Sequence, residues 1–352
     1  MQQNILINYI KEVLTNMPTG WLATTTHRLD IYTEKLAKTE FLEQFENLYS
    51  NNDSKAATLN NLPTAYDYIR LGHPLSCVLE WTIAKFQQLN PKNIISFSSK
   101  TTPILAVLRK NLLDNKKTQL VYTGKLPKCL NTETIKNIYG YQFELKKIED
   151  LNDVPNFDGT TILISEQSEI NTINLDNNID FYINIYADLG SILLVNGEDN
   201  EKYISDIQHV RRRETIAMTP ADCFTILKTL IENSAIKNDT TNIQEHKKSV
   251  LNSINKITDT QTKPLVASSG LSIQYAILMG LVDNALENHA GKTIKIIVPP
   301  NCYGGTNDQA RRVAACINNV EIVDLPVDGD NDMVQSIDIV LRKAASIDAI
   351  PY

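Results

Sequence analysis

The amino-acid sequence predicts an α/β protein with a largely parallel sheet, on three observations. From residue 93 onward, short apolar runs typical of strands alternate with helical segments, which is the pattern of βαβ units. This alternation stops near residue 258 and starts again at residue 264. The first 60 residues show apolar side chains at helical spacing instead.

Composition bounds the possible functions. The 352 residues are 42% hydrophobic and 21% charged, which is ordinary for a globular protein of two or three domains. The net charge of −7 argues against nucleic-acid binding as the main role. The five cysteines and five histidines are scattered, so neither a disulfide framework nor a metal site is indicated, and a reducing cytoplasm fits.

The sequence also contains no pattern typical of export or of a membrane span. The chain begins with an amphipathic segment rather than a signal peptide, and it has no run of 18 uncharged apolar residues that could span a bilayer. The short basic run Arg211–Arg213 is followed by an acidic residue and is interpreted as a solvated face or a feature of a domain edge.

The elements follow in order along the chain. Helices are predicted at 4–14, 33–49 and from Pro74, with a turn-rich break at 51–65. The alternating region then has predicted strands at 93–99, 118–123, 141–148, 160–165 and 180–186. Its predicted helices are 101–113, 132–140, 219–236 and 243–257.

After a linker at 259–264 the pattern restarts. Strands are predicted at 264–270, 293–300, 321–327 and from 348, with helices at 271–286, 307–317 and 332–345. The restart is a weak internal repeat, because "IISFSSKTTPILAVL" (94–108) lines up with "PLVASSGLSIQYAIL" (264–278) and "VYTGK" (121–125) with "CYGGT" (302–306). Chance is the alternative for two matches this short.

Three short segments could carry chemistry. "ASSGLS" (267–272) combines a strand end with a helix start, and free amides at a helix N-terminus can hold a phosphate that Gly270 allows to come close. "YGGT" (303–306) lies at the same carboxyl edge of a parallel sheet, where Tyr303 can offer its ring to an aromatic ligand. Tyr68 and Arg70, two residues apart, suit a phosphate. Taken singly, each is more often an ordinary turn or surface feature.

Together the three segments resemble the pyridoxal-phosphate-dependent enzymes of cysteine and methionine metabolism, the cystathionine synthase and lyase family. That family carries Y-x-Y-S-R-x-x-N-P-T-…-L-E, then a strand ending S-S-G-M, and later Y-G-G-T. The segment "YDYIRLGHPLSCVLE" matches the first motif at Tyr66, Tyr68, Arg70, Pro74, Leu79 and Glu80. His73 stands where the family has Asn, and Leu271 stands for Met.

The resemblance implies a fold, a cofactor and roles for residues. The fold would be that of a type I pyridoxal-phosphate-dependent transferase, similar to aspartate aminotransferase. The amides of Gly270 and Leu271, beside Ser269, would hold the phosphate of pyridoxal 5'-phosphate, and Tyr303 would stack on its ring. Tyr68 and Arg70 would reach the site of a neighbouring subunit, which implies a homo-oligomer, a dimer or tetramer, acting on a small amino-acid substrate.

The middle of the chain resembles the same family in a degenerate form. "IISFSSKTTPILAVL" has Lys100 where the family has glycine, and the best register places Ala187 at the position of the Schiff-base lysine. Three regions are therefore predicted. These are an N-terminal arm with the Tyr68–Arg70 loop (1–85), a degenerate first copy (86–262) inserted between that loop and the phosphate-binding segment, and a second copy (263–352) that begins the cofactor-binding domain and is incomplete at its C-terminus.

A pyridoxal-phosphate enzyme needs a lysine to hold the aldehyde, and this chain has no recognisable one. One hypothesis is that the chain is the N-terminal part of a transsulfuration lyase or transferase, with the lysine supplied by further sequence or by a second polypeptide. Another is a non-catalytic scaffold or regulatory subunit of the same fold. A third is a doubly wound α/β protein that binds a different phosphate compound at Gly270.

Overall fold

The computed structural model describes residues 2–24, 34–63, 68–167, 175, 177–186, 188–236, 240–347 and 349–351. Two predictions concern residues outside this part of the chain, the motif match at Tyr66 and the register at Ala187. Among the described helices, none combines the length and the apolar character that crossing a bilayer requires.

Helices make up the N-terminal arm. They are α1 (Gln2–Asn16), α2 (Glu34–Ser50), α3 (Ala56–Asn60) and α4 (Pro74–Gln87). Aromatic side chains hold them together, since the Phe45 ring lies 5.9 Å from that of Tyr9 and 5.0 Å from that of Trp81. Helix α4 is almost entirely buried because it is the layer between the arm and the sheet of the first copy.

The first copy contains a six-stranded sheet with helices on both faces. Its strands are β1 (Ile94–Phe97), β2 (Thr118–Thr123), β3 (Glu144–Ile148), β4 (Thr160–Glu166), β5 (Phe181–Tyr186) and β6 (Gly190–Val195). Its helices are α5 (Thr102–Leu113), α6 (Thr132–Asn137), α7 (Ile204–Glu214), α8 (Pro220–Glu232) and α9 (Thr240–Thr258). The strand order is β1-β6-β5-β4-β2-β3, and only the two pairings made by β6 are antiparallel.

The second copy is smaller. It consists of α10 (Gly270–Asn288), β7 (Ile294–Val298), α11 (Gly304–Ala314), β8 (Val320–Asp324), α12 (Met333–Ser346) and β9 (Ile350–Pro351). Its three strands are parallel in the order β8-β7-β9. The α/β architecture with a mostly parallel sheet confirms the fold class predicted from the sequence at that level.

The two copies share a strand order. In the first copy the strands that follow α5 lie as β3-β2-β4, and in the second copy the strands that follow α10 lie as β8-β7-β9. In both, the strand after the helix is central and the next two flank it in parallel. The weak sequence repeat therefore coincides with a repeat of topology.

The strand predicted at 264–270 is wrong. Residues 264–269 precede α10 without strand pairing, and the side chain of Leu265 is 71% exposed. The aligned strand of the first copy, β1, is held by antiparallel bonds to β6, whereas no strand among the described residues pairs with 264–269. Backbone groups without a strand partner remain solvated, so the apolar run does not form a strand.

Candidate functional site

Two helix starts of the second copy lie side by side. Ser269 caps α10, since its Oγ accepts a hydrogen bond from the Ser272 amide at 3.2 Å, and the amides of Gly270 and Leu271 lie in the open first turn. The neighbouring helix α11 begins at Gly304 directly after Tyr303, whose side chain makes no cap hydrogen bond. The predicted phosphate segment and the predicted ring-stacking segment thus start adjacent helices.

Direct contacts fix the two helices against each other. Gln309 Nε2 on α11 donates to the carbonyl of Leu271 at 2.8 Å, and Thr306 Oγ1 donates to Gln274 Oε1 at 3.0 Å. Gly305 is needed at the crossing, because a Cβ there would lie 2.7 Å from Cε1 of Tyr303 and 2.8 Å from both methyl carbons of Leu271. The second glycine of "YGGT" therefore lets the tyrosine ring and the start of α10 approach.

Arg70 reaches this point from the arm. Its Nη2 donates to the hydroxyl of Tyr303 at 2.9 Å, and its Nη1 donates to the carbonyl of Arg212 at 3.3 Å. Its guanidinium carbon lies 4.7 Å from the ring centroid of Tyr68, which is 8% exposed. A cation stacked on one phenol and bonded to another has a fixed position. The Tyr303 side chain itself remains exposed.

The Tyr68–Arg70 loop is held rigidly on the first copy. The carbonyl of Ile69 accepts from the amide of Ala217 at 3.0 Å, and the carbonyl of Leu71 accepts from the buried guanidinium of Arg211. Arg211 also bonds Glu80 of α4 at 3.0 Å. Arg211 is 2% exposed, so of the two interpretations of the basic run the solvated face is wrong for this residue. Its burial is tolerated because Glu80 neutralises its charge and because Glu80 and the backbone carbonyls of Ser96 and Leu71 accept from its two Nη atoms.

Positive charge dominates the surroundings of Tyr303. Burial lowers the pKa of the Arg213 guanidinium, and the charges of Arg212 and Arg70 lower it further, whereas Asp308 raises it. Burial raises the pKa of Asp308, but its hydrogen bond to His209 and the nearby arginines outweigh burial and lower it overall. A cluster with more arginines than carboxylates, next to open helix amides, favours an anion.

The structure brings the predicted site residues together in one chain. Ser269, Gly270 and Leu271 start α10, Tyr303 lies beside Leu271, and Arg70 bonds Tyr303 while stacking on Tyr68. The resemblance implied that Tyr68 and Arg70 serve a neighbouring subunit, whereas here the Arg70–Tyr303 contact is made within one chain. The sequence motifs did not identify Arg213 and Gln309 as site residues. Gln309 donates to the carbonyls of both Arg213 and Leu271, so the two residues lie next to the start of α10.

The corresponding helix start in the first copy is arranged differently. Ser99 Oγ accepts from the amides of Thr101 and Thr102 at 3.3 and 3.1 Å, so the side chain already serves the open end of α5. Lys100 stands where the second copy has Gly270, and its Nζ lies 3.1 Å from Asp188 Oδ1. This lysine is thus paired with a carboxylate of its own copy.

Comparisons with known proteins give structural likeness only. No protein-family model and no curated protein sequence matches this chain. Cystathionine gamma-lyase from yeast is similar with a TM-score of 0.37 and 12% identity, over 63% of this chain and 62% of its own. The lyase from Lactobacillus plantarum, complexed with L-serine, gives 0.36 and 11% over 63% of each chain. Cystathionine gamma synthase from Xanthomonas oryzae pv. oryzae gives 0.34 and 11%, over 72% and 69%.

The matched part spans less than two thirds of the length of the two lyases. At TM-scores below 0.5 these proteins share only part of their architecture with this chain.

Proposed function

We propose that this chain binds pyridoxal 5'-phosphate where α10 and α11 begin. We further propose that it is the N-terminal part of a pyridoxal-phosphate-dependent lyase or transferase of sulfur amino-acid metabolism, with the type I transferase fold. The observation that carries the proposal is the meeting of Arg70, Tyr303 and the open start of α10 at one point, although Arg70 and Tyr303 are 233 positions apart.

The residues present fit the phosphate and the ring of this cofactor. The Gly270 and Leu271 amides with the Ser269 hydroxyl are the donors that a phosphate needs, and Arg70 adds charge. A Cβ added at Gly270 would meet nothing within 4 Å, so the approach to these amides is open. Tyr303 presents an exposed ring that can cover a flat heterocycle, while Arg70 holds its hydroxyl.

When bound, the cofactor ring supplies an electron sink for a carbanion formed at the substrate α-carbon. The residues of this chain would bind the phosphate and orient the ring of the cofactor. None of them is assigned a proton transfer. We propose that the covalent lysine comes from further sequence or from a second polypeptide, because the residues that meet at the candidate site include no lysine. A small amino-acid substrate, a homo-oligomer and a cytoplasmic location belong to the same proposal.

A non-catalytic scaffold is the second candidate. The alanine at 187 and the pairing of Lys100 with Asp188 favour it, since neither arrangement leaves an amine for an imine. In that case the chain would keep the fold, with or without bound cofactor, and would not catalyse a reaction.

Equilibrium dialysis with pyridoxal phosphate, followed by absorbance spectra with and without borohydride, tests the proposal. We expect saturable binding that is released on dialysis and leaves no reduced lysine adduct. Arg70→Ala should weaken binding about tenfold, as expected for one charge-assisted hydrogen bond. The matched control is Arg342→Ala, whose exposed guanidinium pairs with Asp338 on α12.

Three results would count against parts of the proposal. Absence of saturable binding contradicts the cofactor, and tight binding of a nucleotide instead supports a different phosphate ligand. A borohydride-trapped lysine within residues 1–352 contradicts the external anchor.

A further inference from the structure

The two copies meet through buried polar contacts rather than through a loose linker. Arg109 of the first copy donates from Nη2 to the hydroxyl of Tyr275 at 3.0 Å, and its guanidinium binds both oxygens of Glu214 at 2.5 and 2.9 Å. Arg312 of the second copy donates to the same carboxylate at 2.9 Å. One carboxylate is thus shared by an arginine from each copy.

The polar residues of this interface are shielded from water. Their hydrogen bonds therefore depend on one relative position of the two copies. Arg109 and Glu214 are each 5% exposed, and Tyr275 is 9% exposed. Burial raises the pKa of the Tyr275 phenol well above its ordinary value. Removing one member of such a network leaves the others buried without partners, so the copies have one preferred relative position.

The second copy packs on α7 of the first copy through α10 and α11. From α5, which the alignment of 94–108 with 264–278 makes the counterpart of α10, the side chain of Arg109 reaches Tyr275. All of these contacts lie within one polypeptide.

The loop that completes the site belongs to the other side of this interface. Arg70 is anchored on the first copy by the hydrogen bonds of Ile69 and Leu71, yet its guanidinium crosses to Tyr303 of the second copy. Next to it, Gln309 of the second copy donates to the carbonyl of Arg213 at 2.5 Å. The arm, which is held on the first copy, therefore supplies a side chain to the candidate site of the second copy, and the first copy contributes a backbone carbonyl beside it.

We propose that the arm and the first copy together take the place of a partner subunit for the second copy, and that the arm supplies Arg70 and Tyr68 to the second copy's site in cis. The claim that these residues serve the cofactor phosphate rests on the proposed function. The assembly itself does not, since it follows from the contacts between the copies. An oligomer of this chain, if it forms, is then not needed to complete this site.

Cross-linking of isotope-labelled chains tests the assembly without any cofactor. The chain carries Arg70→Cys and Tyr303→Cys in a background where Cys129, Cys302 and Cys316, the native cysteines that are not fully buried, are replaced by serine. A 1:1 mixture of unlabelled and ¹⁵N-labelled chains is treated with a short bis-maleimide and digested. We expect linked 70–303 peptides that are either wholly light or wholly heavy.

The controls are a mixture of the two single-cysteine chains, which should give no linked 70–303 peptide, and the molar mass of the linked protein, which should be that of one chain. Linked peptides of mixed isotope composition would overturn the proposal, and so would a failure of the double-cysteine chain to cross-link.

A second measurement separates this inference from the proposed function. If pyridoxal phosphate binds, its affinity should be independent of protein concentration, and mixing Arg70→Ala with Tyr303→Ala chains should not restore it. If mixing restored the affinity, one chain would be completing the site of another chain, and the inference would be overturned. If no cofactor binds while the cis cross-link forms, the proposed function fails and the assembly stands.

Discussion

His73 shows how one side chain of the motif works in its local setting. It is fully buried at the N-cap of α4, where Nδ1 accepts from the Ser76 amide at 3.2 Å and Nε2 donates to the Met218 carbonyl at 2.7 Å. The cystathionine synthase and lyase family, which the motif resembles, has Asn at this position, and Asn is also a good N-cap. The helix start is preserved by either residue, but only the histidine ring reaches Met218.

Acid should destabilise the protein through His73. Burial lowers the pKa of His73 to about 4 from an ordinary 6.5, so as the pH falls below about 6.5 the unfolded state takes up the proton first. The stability that the neutral ring contributes is complete above that pH and is lost as the pH falls toward 4. We expect His73→Asn to flatten the decline of the urea midpoint between pH 7 and pH 4.5, at a cost of about 1 kcal/mol at neutral pH.

Urea unfolding at several pH values is the measurement for His73→Asn. His246→Asn is the control, because that side chain is exposed on α9 and should leave the pH profile unchanged. Identical pH profiles for the wild type and His73→Asn would contradict the assignment.

At the scale of elements, the crossing of α10 and α11 depends on a single missing methyl group. Gly305→Ala would place a Cβ against the Tyr303 ring and the Leu271 methyls, whereas a Cβ at Gly304 meets nothing within 4 Å. Leu271 is 4% exposed and has little room, so the exposed tyrosine ring should move. We expect Gly305→Ala to cost about 1–3 kcal/mol by overpacking.

Gly305→Ala should also weaken the proposed binding of pyridoxal phosphate, while Gly304→Ala should change neither stability nor binding. Both glycines lie in the first turn of the same helix, which makes them a matched pair. Thermal melting and equilibrium dialysis measure the two effects. Equal behaviour of the two variants would show that the close approach at 305 is unimportant.

Sequence patterns predicted most of the elements but not all. Helices with several apolar residues per two turns, such as α4 and α5, carry a clear periodicity. Helix α7 was not predicted because its eleven residues bury only two apolar side chains, Ile207 and Val210. Its other two buried residues, Arg211 and Glu214, are charged types that usually lie on the surface. Strand β6 was not predicted as a separate strand because its run was assigned to the segment that would carry the Schiff-base lysine.

The candidate site was predictable in its parts only. The motifs indicated Ser269, Gly270 and Tyr303, since turn glycines and helix starts are local features. The partnership of Arg70 with Tyr303 could not be read from spacing, because it depends on how the two copies pack.

At the scale of the whole molecule, Glu214 joins the two copies. Its carboxylate bonds Arg109 and Arg312, and its removal would leave the buried guanidinium of Arg109 without a counter-charge. We expect Glu214→Ala to destabilise the protein by about 3–5 kcal/mol. Urea unfolding should show this loss, and limited proteolysis at 259–264 should become faster as the copies separate.

Glu232→Ala is the control for Glu214→Ala. Glu232 lies on α8 and pairs with Lys228 at 3.7 Å in an exposed position, where such pairs contribute little. If Glu214→Ala unfolds at the same urea concentration as this control, the shared carboxylate does not join the copies.

The different surroundings of Lys100 and Arg109 determine how freely each position can change in evolution. An exposed ion pair contributes little to stability, whereas a buried guanidinium that is bonded on several sides cannot be replaced without leaving its partners unsatisfied. Saturation mutagenesis should therefore find that Lys100 and Asp188, an exposed pair, accept many substitutions. Arg109, in the same copy, should accept almost none.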